Sequence, residues 1–137
     1  KFKTWITPHI REFSRLFPHI KGENNVRLAL KAAKEFNISV LLKGANSIVA
    51  NNKKAWQLFG TDSQTARAGL GDLLSGFIAG SSAIDLTFCK NITTDFFAKY
   101  VLLHSFAASK CKTGSNAYAI GDELSKLVRN RKTRQIS

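Results

Sequence analysis

The stretch Thr65-Ala66-Arg67-Ala68-Gly69-Leu70-Gly71-Asp72-Leu73-Leu74-Ser75-Gly76 sets two glycines one residue apart directly ahead of a helical pattern. Glycine reaches positive φ and lets a ligand approach with no Cβ in the way. Amides at a helix start lack intrahelical partners, and with the helix dipole they favour an anion, typically a phosphate. Asp72 then falls in the first turn. A carboxylate there can simply cap the helix. It can also take the proton of a hydroxyl that attacks a phosphoryl group. The GxGD pattern alone leaves both open.

Two other segments carry related chemistry. Lys43-Gly44-Ala45-Asn46-Ser47 follows the compact apolar run Ile38 to Leu42. A lysine at a strand end beside a glycine is a second place where amides and an ammonium meet phosphate oxygens, although a hairpin turn with an exposed lysine uses the same residues. Thr7-Pro8-His9 follows the strand-like Lys3 to Ile6. Ligands of α/β sheets gather at the carboxyl ends of the strands, so these motifs together form a constellation. His9 by itself reads equally as a helix-start histidine. His19 and His104 have no evident chemical partner, and His104 sits in an apolar helix as a packed core residue.

The elements that must position these motifs follow from periodicity. Pro8 suits a loop or first helical position, and Glu12 to Phe17 then forms a short helix. From Asn24, apolar Val26, Leu28, Leu30, Ala33 and Phe36 alternate with charged residues at helical spacing, and Asn37 is a stop signal. Ile38 to Leu42 fits a strand buried on both faces, as in a parallel sheet. Ser47 to Ala50 and Ala55 to Phe59 are strands about an Asn51-Asn52 turn. Gly60 to Ala68 reads as polar loop. Helices are expected over Asp72 to Ala83, Asp95 to Ser109 and Ser115 to Val128. The fold class is therefore α/β, with about four strands, fewer than a parallel sheet covered on both faces usually has.

The chain has 137 residues, 44% of them hydrophobic, which fits one domain and excludes wholesale disorder. Cys89 and Cys111 are too few for a disulfide framework, and no CxxC or Cys/His cluster suggests a metal site, so no metal ligands are assigned. Two reduced thiols point to a cytoplasmic protein. The uncharged stretch from Leu73 to Ile84 is interrupted by Asp85 and is too short to span a bilayer. No signal-peptide pattern precedes Pro8. Net charge is +12, with Arg129, Arg131, Lys132 and Arg134 clustered at the C-terminal end. With no nucleic-acid-binding signature, those charges read as a solvated or partner-facing tail rather than as a nucleic-acid site. The chain contains no Met, which fits a segment of a longer polypeptide.

Taken in order, TPH with Glu12 after it, KGA, and GxGD opening a helix with a small-residue face resemble the ADP/ATP-dependent NAD(P)H-hydrate dehydratases. The resemblance runs from about Ile6 to Ala108 and includes the Leu103-His104 and Ala107-Ala108 stretch of the late helix. It implies a ribokinase-like three-layer sandwich, of which this chain holds only the C-terminal half: 1–128 as that part of the dehydratase domain and 129–137 as a basic tail. It implies an ADP- or ATP-dependent lyase acting on hydrated NAD(P)H (NAD(P)HX), with Mg²⁺ on the nucleotide. His9 would contact the substrate. Lys43, Gly44, Ala45, Asn46 and Ser47 would form the nucleotide phosphate loop, Gly69 and Gly71 would shape the anion hole, and Asp72 would be the base on the substrate's C6 hydroxyl. It further implies a homo-oligomer, often a tetramer, and fusion to or pairing with an NAD(P)H-hydrate epimerase. Membrane and nucleic acid are not expected partners. Four positions depart from the family pattern: Ile10-Arg11 stand where Pro-Gly is usual, Leu70 where Thr or Ser is usual, and Arg67 in place of another Thr or Ser. A weakened nucleotide-binding or assembly domain, and a small-molecule kinase of the same fold, are the alternatives.

Overall fold

A computed structural model describes residues 4–59, 69–89, 91–112 and 114–134. The loop expected over 60–68, with Arg67, lies outside the described residues. Strand β1 (Trp5–Ile6) leads through helices α1 (Ile10–Leu16) and α2 (Asn25–Phe36) to β2 (Ser39–Leu42). Strands β3 (Ser47–Ala50) and β4 (Ala55–Leu58) follow, then helices α3 (Leu70–Phe88), α4 (Thr94–Lys110) and α5 (Ala117–Arg134). The four strands form one sheet in the order β1-β2-β3-β4.

The sheet is mixed, not parallel throughout. β1 pairs with β2 in parallel because two helices carry the chain back to the starting edge. β2 and β3 are separated only by residues 43–46, so they must run antiparallel, as do β3 and β4. At the second turn Asn51 Oδ1 accepts from the amides of Lys53 and Lys54 at 2.8 and 2.9 Å. All four residues of β2 are buried, as expected of a strand covered on both faces. Val40 and Leu42 point to one face, with Phe13, Phe17 and the fully buried Ala29, Ala32 and Ala33 of α2. Leu41 and Val49 point to the other, against Leu74, Ile78, Phe97 and Val101 of α3 and α4. Two cores on opposite faces make a three-layer arrangement.

The helix ends follow local chemistry. Asn24 Oδ1 accepts from the Arg27 amide at 3.0 Å and opens α2. Asn37 closes it at φ 52°, a left-handed cap that asparagine tolerates. Four helices differ in extent from their sequence pattern, the first being α1, which runs over Ile10–Leu16 and not Glu12 to Phe17. α3 begins at Leu70 and continues through Phe88, α4 begins at Thr94, and α5 continues through Arg134. The extra turns of α3 bring Tyr100 Oη within 2.6 Å of Asp85 Oδ2, to which it donates. Leu70 at its start is 2% exposed, in a third cluster with Ala107, Ile120 and Leu124. Among the described residues no helix is long and apolar enough to cross a membrane.

Candidate active site

β1 and β2 run in parallel, so their carboxyl ends lie side by side, and the pairing carries on past both strands. The Lys43 amide donates to Pro8 O at 2.9 Å, and His9 forms a bridge to Lys43. This register brings TPH and KGA together although 33 residues of sequence separate them. Helix α3 crosses the same end of the sheet. Ser75 in its second turn lies 3.0 Å, Oγ to Oγ1, from Thr7, and donates to Gly71 O at 2.9 Å. A cleft of about 450 Å³ results, with Thr7 and Pro8 on one wall, Glu12 and Arg15 of α1 on a second, and Lys43 facing Gly71, Asp72 and Ser75.

The two glycines of the GxGD stretch have separate jobs. Gly69 caps α3 at φ 81°, a left-handed backbone that side chains rarely adopt. A Cβ on Gly71 would stand 3.3 Å from Lys43 Nζ, so the bare backbone is what lets the ammonium approach the first turn of α3. That turn has unpaired amides and a positive dipole end. Ammonium and amides thus favour an anion on one side of the cleft. Asp72 is exposed in the same turn and lines the cleft with them. Lys43 is further steadied by Glu12, Nζ to Oε2 3.8 Å. The His9 amide, donating to Glu12 Oε2 at 2.7 Å, and then Lys43 hold the Glu12 carboxyl below its ordinary range.

His9 itself does not line the cleft, although its neighbours Thr7, Pro8 and Glu12 do. Its Nδ1 accepts from the amides of Arg11 and Glu12, both at 3.1 Å, and Glu12 closes the reciprocal half of a capping box. The neutral ring therefore carries its proton on Nε2, which lies 3.4 Å from Glu12 Oε1. Gly44, Ala45 and Asn46 are exposed in the turn after β2. Ser47 is buried at the start of β3, where its hydroxyl donates to Gly44 O at 3.2 Å. Residues 44–47 do not line the cleft, so of the KGANS segment only Lys43 reaches it. Leu70, one of the departures noted in the sequence, turns into the core and does not line the cleft.

Thr7 and Ser75, like Glu12 and Arg15, line the cleft without a role assigned by the sequence pattern. Thr7 is held extended by the proline after it, and Ser75 stands one helical turn after Gly71; those were the available signals. His104 is a core residue, as its helix predicts: it is 4% exposed, and burial lowers its pKa to about 4. His19 pairs with Glu35 at 2.8 Å. Among the described residues no three His, Cys, Asp or Glu side chains gather as metal ligands.

A family model for the NAD(P)H-hydrate dehydratases matches residues 1–130. The chain is 37% identical over 78 residues to an ADP-dependent (S)-NAD(P)H-hydrate dehydratase from Nitrosopumilus maritimus, a match spanning 55% of this chain and 27% of that protein. It is 41% identical over 80 residues to the bifunctional NAD(P)H-hydrate repair enzyme Nnr of Thermosynechococcus vestitus, 56% of this chain and 16% of that one. Among solved structures, the ADP/ATP-dependent NAD(P)H-hydrate dehydratase of Bacillus subtilis, co-crystallised with ATP and Mg²⁺ and soaked with CoA, superposes with a TM-score of 0.71 at 19% identity. That superposition covers 93% of this chain and 49% of the other. The fold is thus that of the ribokinase-like dehydratases, and the chain spans about half the length of this solved relative.

Proposed function

The chain belongs to the NAD(P)H-hydrate dehydratase family, and from that premise we propose that its cleft dehydrates NAD(P)HX to NAD(P)H at the expense of ADP or ATP. The observation that carries this reading is the meeting of Lys43, the Gly71 backbone and the Asp72 carboxylate in one cleft. Hydroxide leaves the hydrated ring poorly. Phosphorylating the C6 hydroxyl gives a good leaving group, and elimination of phosphate restores the nicotinamide. Asp72 takes the hydroxyl proton as the oxygen attacks phosphorus. Lys43 and the amides at 69–72 hold charge on the transferring group, where fixed donors count most. His9, next to the cleft residues Pro8 and Glu12 and with its Nε2 towards Glu12 Oε1, contacts the substrate. Gly44 to Ser47 shape the nucleotide loop around Lys43.

A divalent cation on the nucleotide phosphates would neutralise charge on the departing phosphoryl group. Magnesium binds through one or two carboxylates plus phosphates and keeps several waters, which fits a cleft lined by two carboxylates, Glu12 and Asp72, better than a three-carboxylate cage would. Glu12 would hold it through its water shell, which leaves Asp72 free to act as the base.

We take residues 1–128 as the back part of a dehydratase domain and 129–137 as its basic extension. The free thiols of Cys89 and Cys111 suit the cytoplasm, and the bifunctional relatives support pairing with an epimerase. Exposed Ile84 and Tyr118 line a groove of about 670 Å³ between α3 and α5, which supports assembly of copies, a tetramer by resemblance.

Turnover tests the reading. With hydrated NADH and ADP, the absorbance of NADH should return with one AMP and one phosphate per turnover. A stable phosphorylated product would instead identify a kinase. Nucleotide binding without either outcome would identify a weakened binding domain, a reading that the departures at Ile10, Arg11 and Leu70 favour.

A further inference from the structure

One hydroxyl chain runs from the cleft wall into helix α3. Gly71 O can only accept, so the single proton of Ser75 Oγ is committed to it across 2.9 Å. The 3.0 Å contact between Ser75 Oγ and Thr7 Oγ1 can then be a hydrogen bond only if Thr7 donates. Both protons are spent inside the wall. Thr7 lines the cleft with Lys43 and Asp72, and what its oxygen has left is lone pairs.

Resting on the proposed reading of this cleft, we infer that Thr7 is a specificity-determining residue, a fixed acceptor for a neutral hydrogen-bond donor on the substrate, and that Ser75 is the positioning residue that keeps it one. The cleft is thereby divided by polarity. The ammonium of Lys43 and the α3 amides favour phosphate oxygens, whereas an oxygen offering only lone pairs repels them. Threonine 7 therefore selects the hydrated-ring end of the substrate, through its ring hydroxyl or its carboxamide NH₂, and orients that end towards Asp72. Ser75→Ala would release the Thr7 proton to turn into the cleft, converting an acceptor into a donor.

The test is calorimetric binding of hydrated NADH, unmodified NADH and ADP to the full chain and to four variants. In Thr7→Val and in Ser75→Ala the Kd of hydrated NADH should rise about 3- to 10-fold, the loss expected for one neutral hydrogen bond. The Kd of ADP should stay unchanged in both. Thr7→Ser and Ser75→Thr should restore the parent value, which a merely structural defect would not allow. A rise seen with hydrated NADH and absent with NADH assigns the donor to the ring hydroxyl, and an equal rise with both assigns it to the carboxamide. An unchanged Kd for hydrated NADH in Thr7→Val, or an equal rise for ADP, would overturn the inference. A parent chain that binds hydrated NADH without regenerating NADH overturns the dehydratase reading and leaves Thr7 in place. One that does not bind it overturns the assignment of Thr7.

Discussion

Lys43 is held on two sides, by the Glu12 carboxylate and by the bare backbone of Gly71. An ammonium fixed in this way loses little freedom when phosphate arrives, and charge-assisted hydrogen bonds are the strong ones. Lys43→Met keeps the aliphatic stem and removes the charge. It should raise the Kd of ADP by about tenfold or more, read by calorimetry, with little change in thermal stability because the ion pair is long, 3.8 Å, and only partly buried. His104 behaves in the opposite way, as a core group whose charge is excluded. Folded, it stays neutral down to about pH 4, whereas an unperturbed histidine takes a proton near 6.5. Between those values the unfolded chain binds more protons, so stability falls as pH is lowered from about 6.5 to 4, by roughly 3 kcal/mol in all. His104→Leu should flatten that dependence in urea titrations run across the same window. An unchanged slope would place the pH sensitivity elsewhere.

At the scale of elements, the start of α3 is where conformation and chemistry coincide. Gly69→Ala forces a side chain into a left-handed cap and should cost about 1 kcal/mol by denaturant midpoint. It should weaken ADP binding more than that loss of stability accounts for, because the first-turn amides shift with it. Much of this layout was legible beforehand. The amphipathic pattern from Asn24, the two-face burial of Ile38 to Leu42 and the Asn51-Asn52 turn are local signals, and local signals survive into the structure. The antiparallel hairpin about Asn51-Asn52 was legible too, whereas the parallel look of the buried Ile38 to Leu42 run holds only for its pairing with β1, since the four residues between β2 and β3 force antiparallel pairing. The long reach of α3 was missed because its later turns, through Ile84 and Leu86 to Phe88, show more apolar surface than an amphipathic period allows. The Thr7–Ser75 bond joins residues 68 apart in sequence, and no periodicity encodes a contact of that range. The motifs pointed to Lys43 and His9 as candidates; only the parallel register of β1 and β2 brings the two side by side.

On the scale of the whole molecule, two apolar clusters sandwich a small sheet while large apolar side chains remain outside. Ile84 of α3 is 45% exposed and Tyr118 of α5 85% exposed, both lining the groove between these helices, and Phe88 at the end of α3 is 82% exposed. Patches of this kind mark contact surfaces more often than free ones. Sedimentation velocity of the full chain should therefore show an assembly larger than one copy, and Phe88→Asp with Tyr118→Asp should shift it towards the monomer. A monomer at every concentration would leave the assembly reading without support. The wider claim is that a carboxylate, an ammonium and bare amides act together at one end of the sheet. Its most direct measurement is the pair of ADP affinity and NADH regeneration in Asp72→Asn. The account predicts an ADP Kd within about twofold of the parent, because an amide of the same shape leaves Lys43 and the helix start in place, and regeneration lost by at least the 10²–10⁴ typical of a missing general base. Turnover equal to the parent's would contradict it.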